Sequence, residues 1–302
     1  MTTVDIDGHQ LKLSNLDKVL YPDDGFTKGQ VIDYYARIAP VAVPHYDRRP
    51  MTLKRYPNGV DDKFFFEKNA PKHRPDWVKT APFWSRHSKR TIEFTVIDSQ
   101  AALVWTANLA AIELHPSLSL AEKPEQPTMV VFDLDPGAPA DIRQCCEVGL
   151  HLRELFEHLG LESFPKTSGS KGLQVYLPLN TPVTYDEPRG GTKGFALAVA
   201  QLLERQHPDL VVSNMAKDLR HGKILVDWSQ NDESKTTSGV YSLRAREHPT
   251  VSTPVTWDEV EAGVDEPASM RFVAEDVLAR VERDGDLFAP TLALEQTLPS
   301  FG

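Results

Sequence analysis

The chain has 302 residues, 40% of them hydrophobic and 25% charged, with a formal net charge of −10, a composition typical of soluble globular proteins with one large domain or two. No apolar run approaches the roughly 20 residues of a membrane span, and the polar start "MTTVDIDGHQLKLSN" lacks the apolar core of a signal peptide. Cys145 and Cys146 are the only cysteines; being adjacent they suit neither a disulfide nor a metal cage, and a cytoplasmic protein is expected. Charge is unevenly spread, with ten Lys/Arg against four Asp/Glu in residues 51–90 but three against eleven in residues 251–302. Net acidity therefore does not exclude a nucleic-acid partner.

In chain order, a short strand and a turn-rich loop lead to an amphipathic helix near Thr27 to Ile38. Thr27 is placed to cap it, and Val31, Tyr34, Tyr35 and Ile38 fall on one face. A strand-rich stretch containing "TIEFTVID" and "ALVWTANLAAIELHPSL" follows, and "AEKPEQP", residues 121–127, marks a boundary. This divides the chain into an N-terminal α/β unit, 1–125, and a second region, 126–302. "TMVVFDLDPG" opens the second region as a buried strand running into Asp133 and Asp135. "DIRQCCEVGLHLRELFEHLG" reads as a helix with Ile142, Cys145, Leu152, Leu155, Phe156 and Leu159 near one face and Gly160 at its end. A glycine-rich turn entering a strand ("SFPKTSGSKGLQVYLPL"), a helix ("GFALAVAQLLERQHP") and a strand ending on Asp227 ("KILVDWSQ") complete an α/β or α+β pattern.

Residues two apart on a strand share a face, so Asp133 and Asp135 project together while Leu134 enters the core. Two such carboxylates repel unless a cation bridges them, and hard oxygen ligands suit Mg²⁺ or Mn²⁺. Asp227 is a third acid on a separate buried strand, and three acids of this kind suit a two-metal centre. A DxD taken alone is equally consistent with loop acids or helix caps. "KTSGSKGL" offers backbone N–H groups and Lys171 for phosphate, although it is not a Walker A loop, and a plain Gly/Ser turn would look the same. Gln230, Lys235, Arg244 and Arg246 follow Asp227; metal-binding acids beside cations are what nucleoside-triphosphate chemistry requires.

Together "DKVLYP", "KRYPNG", "FFEK", "FDLDPG", "TSGSKGL" and "VDWSQN…SKTT…YSLR" resemble the polymerase domain of bacterial DNA ligase D, of the archaeo-eukaryotic primase superfamily, over roughly Leu11 to Asp286. The resemblance implies an RRM-like catalytic sheet joined to an N-terminal α/β unit. It implies that Asp133, Asp135 and Asp227 bind two Mn²⁺ or Mg²⁺ ions and that Ser168, Ser170 and Lys171 hold the triphosphate. Lys54, His115, Gln230 and Arg244 would complete the nucleotide pocket. Phe65 and Phe66 would stack on bases at a break, and Lys18 and Lys28 would grip a downstream 5′-phosphate. The implied activity is template-dependent nucleotidyl transfer that fills gaps or extends ends in DNA repair such as non-homologous end joining, with a preference for ribonucleotides. The implied partners are gapped or broken DNA bearing a 5′-phosphate, NTPs or dNTPs, Ku and a separate DNA ligase, with no membrane; the chain is read as a monomer.

Gln174 departs from the pattern, since the family commonly has His there; an amide keeps a hydrogen bond but cannot carry charge. The chain has no room for ligase and phosphoesterase domains, so it is read as a stand-alone homologue or an excised piece. The sequence also fits two alternatives. "VVFDLDPG" also resembles the first motif of haloacid-dehalogenase-type phosphatases, and a non-catalytic DNA-end-binding protein could keep the fold without the chemistry.

Overall fold

Thr27 begins the first long helix by reciprocal capping: its hydroxyl accepts the N–H of Gln30, and the Gln30 side chain accepts the N–H of Thr27. The computed structural model describes residues 2–85, 89–186 and 191–299. Two hairpins, β1 (Thr2–Ile6) with β2 (His9–Leu13) and β3 (Val19–Tyr21) with β4 (Phe26–Thr27), precede this helix, α1 (Lys28–Tyr46). Val31, Tyr34, Tyr35 and Ile38 are buried as expected. The helix does not end near Ile38 but continues through Pro40 and Pro44, because Ala39, Ala42 and Tyr46 extend the buried stripe.

β5 (Met51–Arg55) lies between β6 (Phe65–Glu67) and β9 (Ala111–Pro116), antiparallel to both. The hairpin of β7 (Thr80–Ser85) and β8 (Arg90–Thr95) joins β5 where Met51 meets Thr95. Within the expected strand-rich stretch, residues 100–108 instead form a helix, α2 (Gln100–Asn108). The Ser99 hydroxyl caps it by accepting the N–H of Ala102. It is buried nearly all round, so its apolar run carries no 3.6-residue stripe and reads like a core strand.

The chain divides into two units, the first made of residues 1–122, 236–252 and 273–286, the second of residues 123–235, 253–272 and 287–302. The late segments 236–252 and 273–286 were expected in the second region, yet they pack in the first unit. Segment 236–252 covers the outer edge of β9: Gly239 N–H donates to the Leu114 carbonyl at 2.9 Å, and the Leu114 N–H donates to the Ser242 hydroxyl at 2.9 Å. Three buried tyrosines of α1 fix the same region, Tyr34 and Tyr46 donating to the carbonyls of Tyr241 and Val240, and Tyr35 to that of Ile112.

In the second unit, β10 (Met129–Pro136) is the central strand of a sheet ordered β11–β12–β10–β14–β13. Its elements are α3 (Ile142–His158), β11 (Phe164–Thr167), β12 (Leu173–Pro178), α4 (Thr192–Gln206), β13 (Val211–Val212), β14 (Ile224–Asp227) and α5 (Trp257–Asp265). All pairings are antiparallel except β13 with β14. Val130, Phe132 and Leu134 point to one side, where Cys145, Leu152 and Phe156 of α3 and Phe195 and Ala196 of α4 complete a buried core. Burying each such large side chain stabilises by about 1.5–3 kcal/mol. Gly160, at φ +70, follows α3 in the left-handed conformation expected of it. The remaining helix, α6 (Ala274–Asp284), belongs to the first unit. This is the mixed α/β class expected from sequence.

Candidate active site

In the second unit the acids of β10 face away from that core. Asp133 lies directly opposite Asp227 of β14 on one side and Gln174 of β12 on the other, and Asp135 shares its face. Cross-strand partners of this kind bring their Cβ atoms to about 4.5–5.5 Å. Burial and then the Asp135 charge push the Asp133 carboxyl up to about 7, Asp227 adding to the rise while the Gln174 hydrogen bond and Lys166 oppose it. Three carboxylates on neighbouring strand positions present hard oxygen donors to one face. The donor chemistry thus fits hard divalent ions. Among the described residues, however, no three His, Cys, Asp or Glu side chains converge as a ready metal cage. At Asp227 one carboxylate oxygen accepts the N–H and hydroxyl of Ser229, and the other accepts from Gln230 Nε2 at 2.9 Å. These three bonds leave one lone pair, on the oxygen that accepts from Gln230, for a cation.

The turn between β11 and β12 lies against the acids. A Cβ on Gly172 would sit 2.1 Å from the Leu134 carbonyl oxygen, between Asp133 and Asp135, so only glycine allows this approach. The Ser168 hydroxyl accepts the N–H groups of Ser170 and Gly172 at 3.2 and 3.1 Å. Ser168 is buried, Ser170 half-buried and Lys171 exposed. Of the expected residues, Gln230 bonds an acid directly, while Ser168, Ser170 and Lys171 lie on the turn whose Gly172 approaches the strand between Asp133 and Asp135. Asn231, in the same "VDWSQN" segment, is fully buried and exchanges hydrogen bonds with both backbone groups of Val131, locking the strand that carries Asp133. The loop holding Lys217, Arg220, His221 and Lys223 also reaches this end of β10, with Gly137 N–H donating to the Lys223 carbonyl and Gly222 N–H to that of Gly137.

Lys54, His115 and Arg244 belong to the first unit, where they gather around a residue that sequence reading did not single out. Glu113 is buried on β9 directly opposite Lys54. It accepts from Lys54 Nζ at 3.3 Å, His115 Nε2 at 2.9 Å, Tyr56 Oη at 3.4 Å and the Ala245 N–H at 3.2 Å, and pairs with Arg244 Nε at 3.3 Å. Burial works to raise its carboxyl, but the His115 hydrogen bond and the Arg244, His115 and Lys54 groups outweigh it and hold Glu113 well below the carboxylate range. Burial lowers His115 against the opposing pull of Glu113. Alternation along β5 and β9 was the available signal for Glu113, since a glutamate two residues from His115 on a strand shares its face.

The same alternation separates the two expected stacking residues. Phe66 pairs with Lys54 and Phe65 with Arg55, so the rings lie on opposite faces. Phe66 instead meets Phe64, edge to face at 5.8 Å, and both lie over the Lys54 ammonium; Phe65 covers the Arg55 guanidinium at 5.0 Å. All three phenylalanines are exposed. Lys18 and Lys28 are neighbours through a Lys28 N–H to Lys18 carbonyl bond of 2.8 Å. Lys28 starts α1 but is buried, its ammonium donating to the Ser14 carbonyl at 2.8 Å, while Lys18 donates to Asn58 Oδ1 at 2.8 Å. Burial and then the charges of Lys18 and Arg55 lower Lys28, while the Arg55 guanidinium is itself paired with Glu67 at 2.9 Å.

A largely antiparallel sheet bearing paired strand acids beside a glycine-serine turn is an arrangement that fits a nucleotidyltransferase of the primase-polymerase type. The family model "LigD, primase-polymerase domain" matches residues 27–288, and the chain belongs to that family. It is 43% identical over 283 residues to the multifunctional non-homologous end joining protein LigD of Mycolicibacterium smegmatis, covering 93% of this chain and 36% of that protein. It is 46% identical over 286 residues to the LigD of Mycobacterium tuberculosis, covering 92% of this chain and 36% of that protein. The bifunctional LigD of Bacillus subtilis is 31% identical over 277 residues, covering 91% of this chain and 43% of that protein. The chain thus spans about a third of the mycobacterial proteins it matches. The solved polymerase domain of Mycobacterium tuberculosis Ligase D in complex with DNA superposes with a TM-score of 0.86 at 43% identity, covering 95% of this chain and 99% of that one. This membership does not favour the phosphatase or the non-catalytic alternative.

Proposed function

We propose that this chain adds nucleotides to a primer 3′-end opposite a template at gaps and broken ends during non-homologous end joining. It prefers ribonucleotides and acts in the cytoplasm with Ku and a separate DNA ligase. The observation that carries this reading is the face shared by Asp133, Asp135 and Asp227 with the Ser168–Gly172 turn set directly against it. The three acids would hold two Mn²⁺ or Mg²⁺ ions, whose chemistry is to make the primer hydroxyl a better nucleophile and to neutralise the leaving pyrophosphate. Ser168, Ser170 and Lys171 hold the triphosphate in line for attack, and Gln230 steadies Asp227. In the first unit, Lys54, His115 and Arg244 present nucleotide-binding donors held in place by Glu113. Lys18 and Lys28, neighbours at the start of α1, supply the cations for a 5′-phosphate, and Phe66 with Phe64 offers exposed rings for base stacking.

The test is extension of labelled primers on gapped, nicked and overhanging DNA, each with a 5′-phosphate or a 5′-hydroxyl downstream, using NTPs and dNTPs. The expected result is one or a few templated additions, fastest across a 5′-phosphorylated gap, with kcat/KM favouring NTPs. Untemplated addition, or kcat/KM favouring dNTPs, contradicts the corresponding part of this reading.

A further inference from the structure

One row of side chains crosses four strands of the catalytic sheet on its acid-bearing face: Lys166 opposite Gln174, Gln174 opposite Asp133, and Asp133 opposite Asp227. Lys166 is 1% exposed and Gln174 2%. The Lys166 ammonium donates to Gln174 Oε1 at 2.5 Å, and Gln174 Nε2 donates to Asp133 Oδ1 at 2.9 Å. Tyr176 Oη also donates to Gln174 Oε1, at 3.3 Å, and the Lys166 ammonium lies 5.4 Å from the Tyr176 ring. An ammonium has only donors and an ionised carboxylate only acceptors, so an amide between them has one orientation that satisfies both. Its oxygen faces Lys166 and its nitrogen faces Asp133.

A buried lysine must have its charge compensated. Here an uncharged amide links the buried ammonium to the acid cluster. The acids repel one another, and the buried cation offsets part of that repulsion before any metal arrives. A divalent ion entering the cluster then meets a positive charge already present.

We propose that Lys166 is an internal counter-ion of the acid cluster, relayed by Gln174, that weakens binding of divalent cations until a nucleotide's phosphates add their own negative charge. The proposal rests on the reading of Asp133, Asp135 and Asp227 as cation ligands. Lys166 is a positioning residue, buried behind Gln174. Its effect is to couple metal loading to nucleotide loading, so that a bare site binds metal measurably but more weakly than a nucleotide-loaded one.

The experiment measures Mn²⁺ binding to the full chain by electron paramagnetic resonance of the free ion, without nucleotide and then with a non-hydrolysable NTP. Asp135→Asn is the control for the underlying reading: it should abolish most nucleotide-free binding, and unchanged binding removes the metal assignment itself. Lys166→Met should bind Mn²⁺ about tenfold more tightly than wild type without nucleotide, a change of about 1.4 kcal/mol, and the difference should shrink once NTP is present. A purely structural role would weaken binding instead. If Lys166→Met does not fold, Lys166→Gln, smaller and uncharged with a donor toward Gln174, replaces it with the same expectation, and Lys166→Arg should restore wild-type affinity. Intact loss in Asp135→Asn with unchanged or weaker binding in the folded neutral variant overturns the counter-ion role alone.

Discussion

Replacing Glu113 by Gln keeps the size of the side chain but removes the charge that holds Lys54, His115 and Arg244 together. In the native arrangement its carboxylate takes up Lys54 and Arg244 at 3.3 Å and His115 at 2.9 Å while buried to 2% exposure. An amide can accept at only one end, and its NH₂ would face donors. Breaking a buried ion pair by removing one partner costs about 3–5 kcal/mol. Because Lys54 and Arg244 keep some access to water, the lower end applies, about 3 kcal/mol, or a fall in Tm of about 6–12 °C for a unit of this size. The sign of the pH dependence follows from the depressed Glu113 carboxyl. Its contribution is complete above its ordinary value of 4.5 and is lost as pH falls toward the lower folded value. In urea titrations followed by tryptophan fluorescence, the gap between wild type and Glu113→Gln should therefore be widest at pH 6–7. It should narrow by about 1.4 kcal/mol per pH unit below about 4.5. A variant as stable as wild type at pH 7, or a gap that does not change down to pH 3, would show that Glu113 does not hold these cations.

Phe66→Ala should lower DNA affinity about tenfold, since one base stacked on an aromatic ring contributes about 1–3 kcal/mol, whereas Phe65→Ala should lower it less; fluorescence anisotropy with equal losses would show that the face assignment does not matter. Gly172→Ala places a methyl 2.1 Å from the Leu134 carbonyl oxygen, so it should destabilise by about 1–3 kcal/mol and depress nucleotide addition, and a wild-type melting curve would contradict the close approach. Lys18→Ala should weaken binding to 5′-phosphorylated gapped DNA more than to its 5′-hydroxyl counterpart, because Lys18 is the less buried of the two lysines; equal losses on both would indicate general backbone attraction that salt screens. Lys28→Ala should in addition lower Tm, since its ammonium is bonded to the Ser14 carbonyl in a buried position.

Elements whose signals are local were readable in the sequence. Thr27 caps α1, Gly160 adopts its left-handed turn after α3, and alternation in "FDLDP" set both acids on one face with Leu134 inward. The acids and the glycine-serine turn were legible for the same reason, each being a short pattern with its own chemistry. What was hidden depends on pairing between distant strands. Lys166 resembled any lysine before a turn until β11, β12 and β10 aligned it with Gln174 and Asp133. Glu113 was passed over in favour of its neighbour His115, although the two share a face. The return of residues 236–252 to the first unit rests on tyrosine hydroxyls from α1 and on backbone bonds to the free edge of β9, neither of which leaves a periodic trace. α2 was hidden by burial on every side, which erases the stripe that identifies a surface helix. Phe65 and Phe66 show a rule available but unused, since adjacent residues on a strand cannot face the same way.

The most direct test is single-turnover extension of a primer across a one-nucleotide gap by wild type and Asp135→Asn, with Mn²⁺ present and DNA binding measured in parallel. Wild type should add the templated nucleotide, while Asp135→Asn should bind the same DNA with unchanged affinity and add nothing measurable. Extension by Asp135→Asn at the wild-type rate would contradict the assignment of the acid face as the catalytic centre.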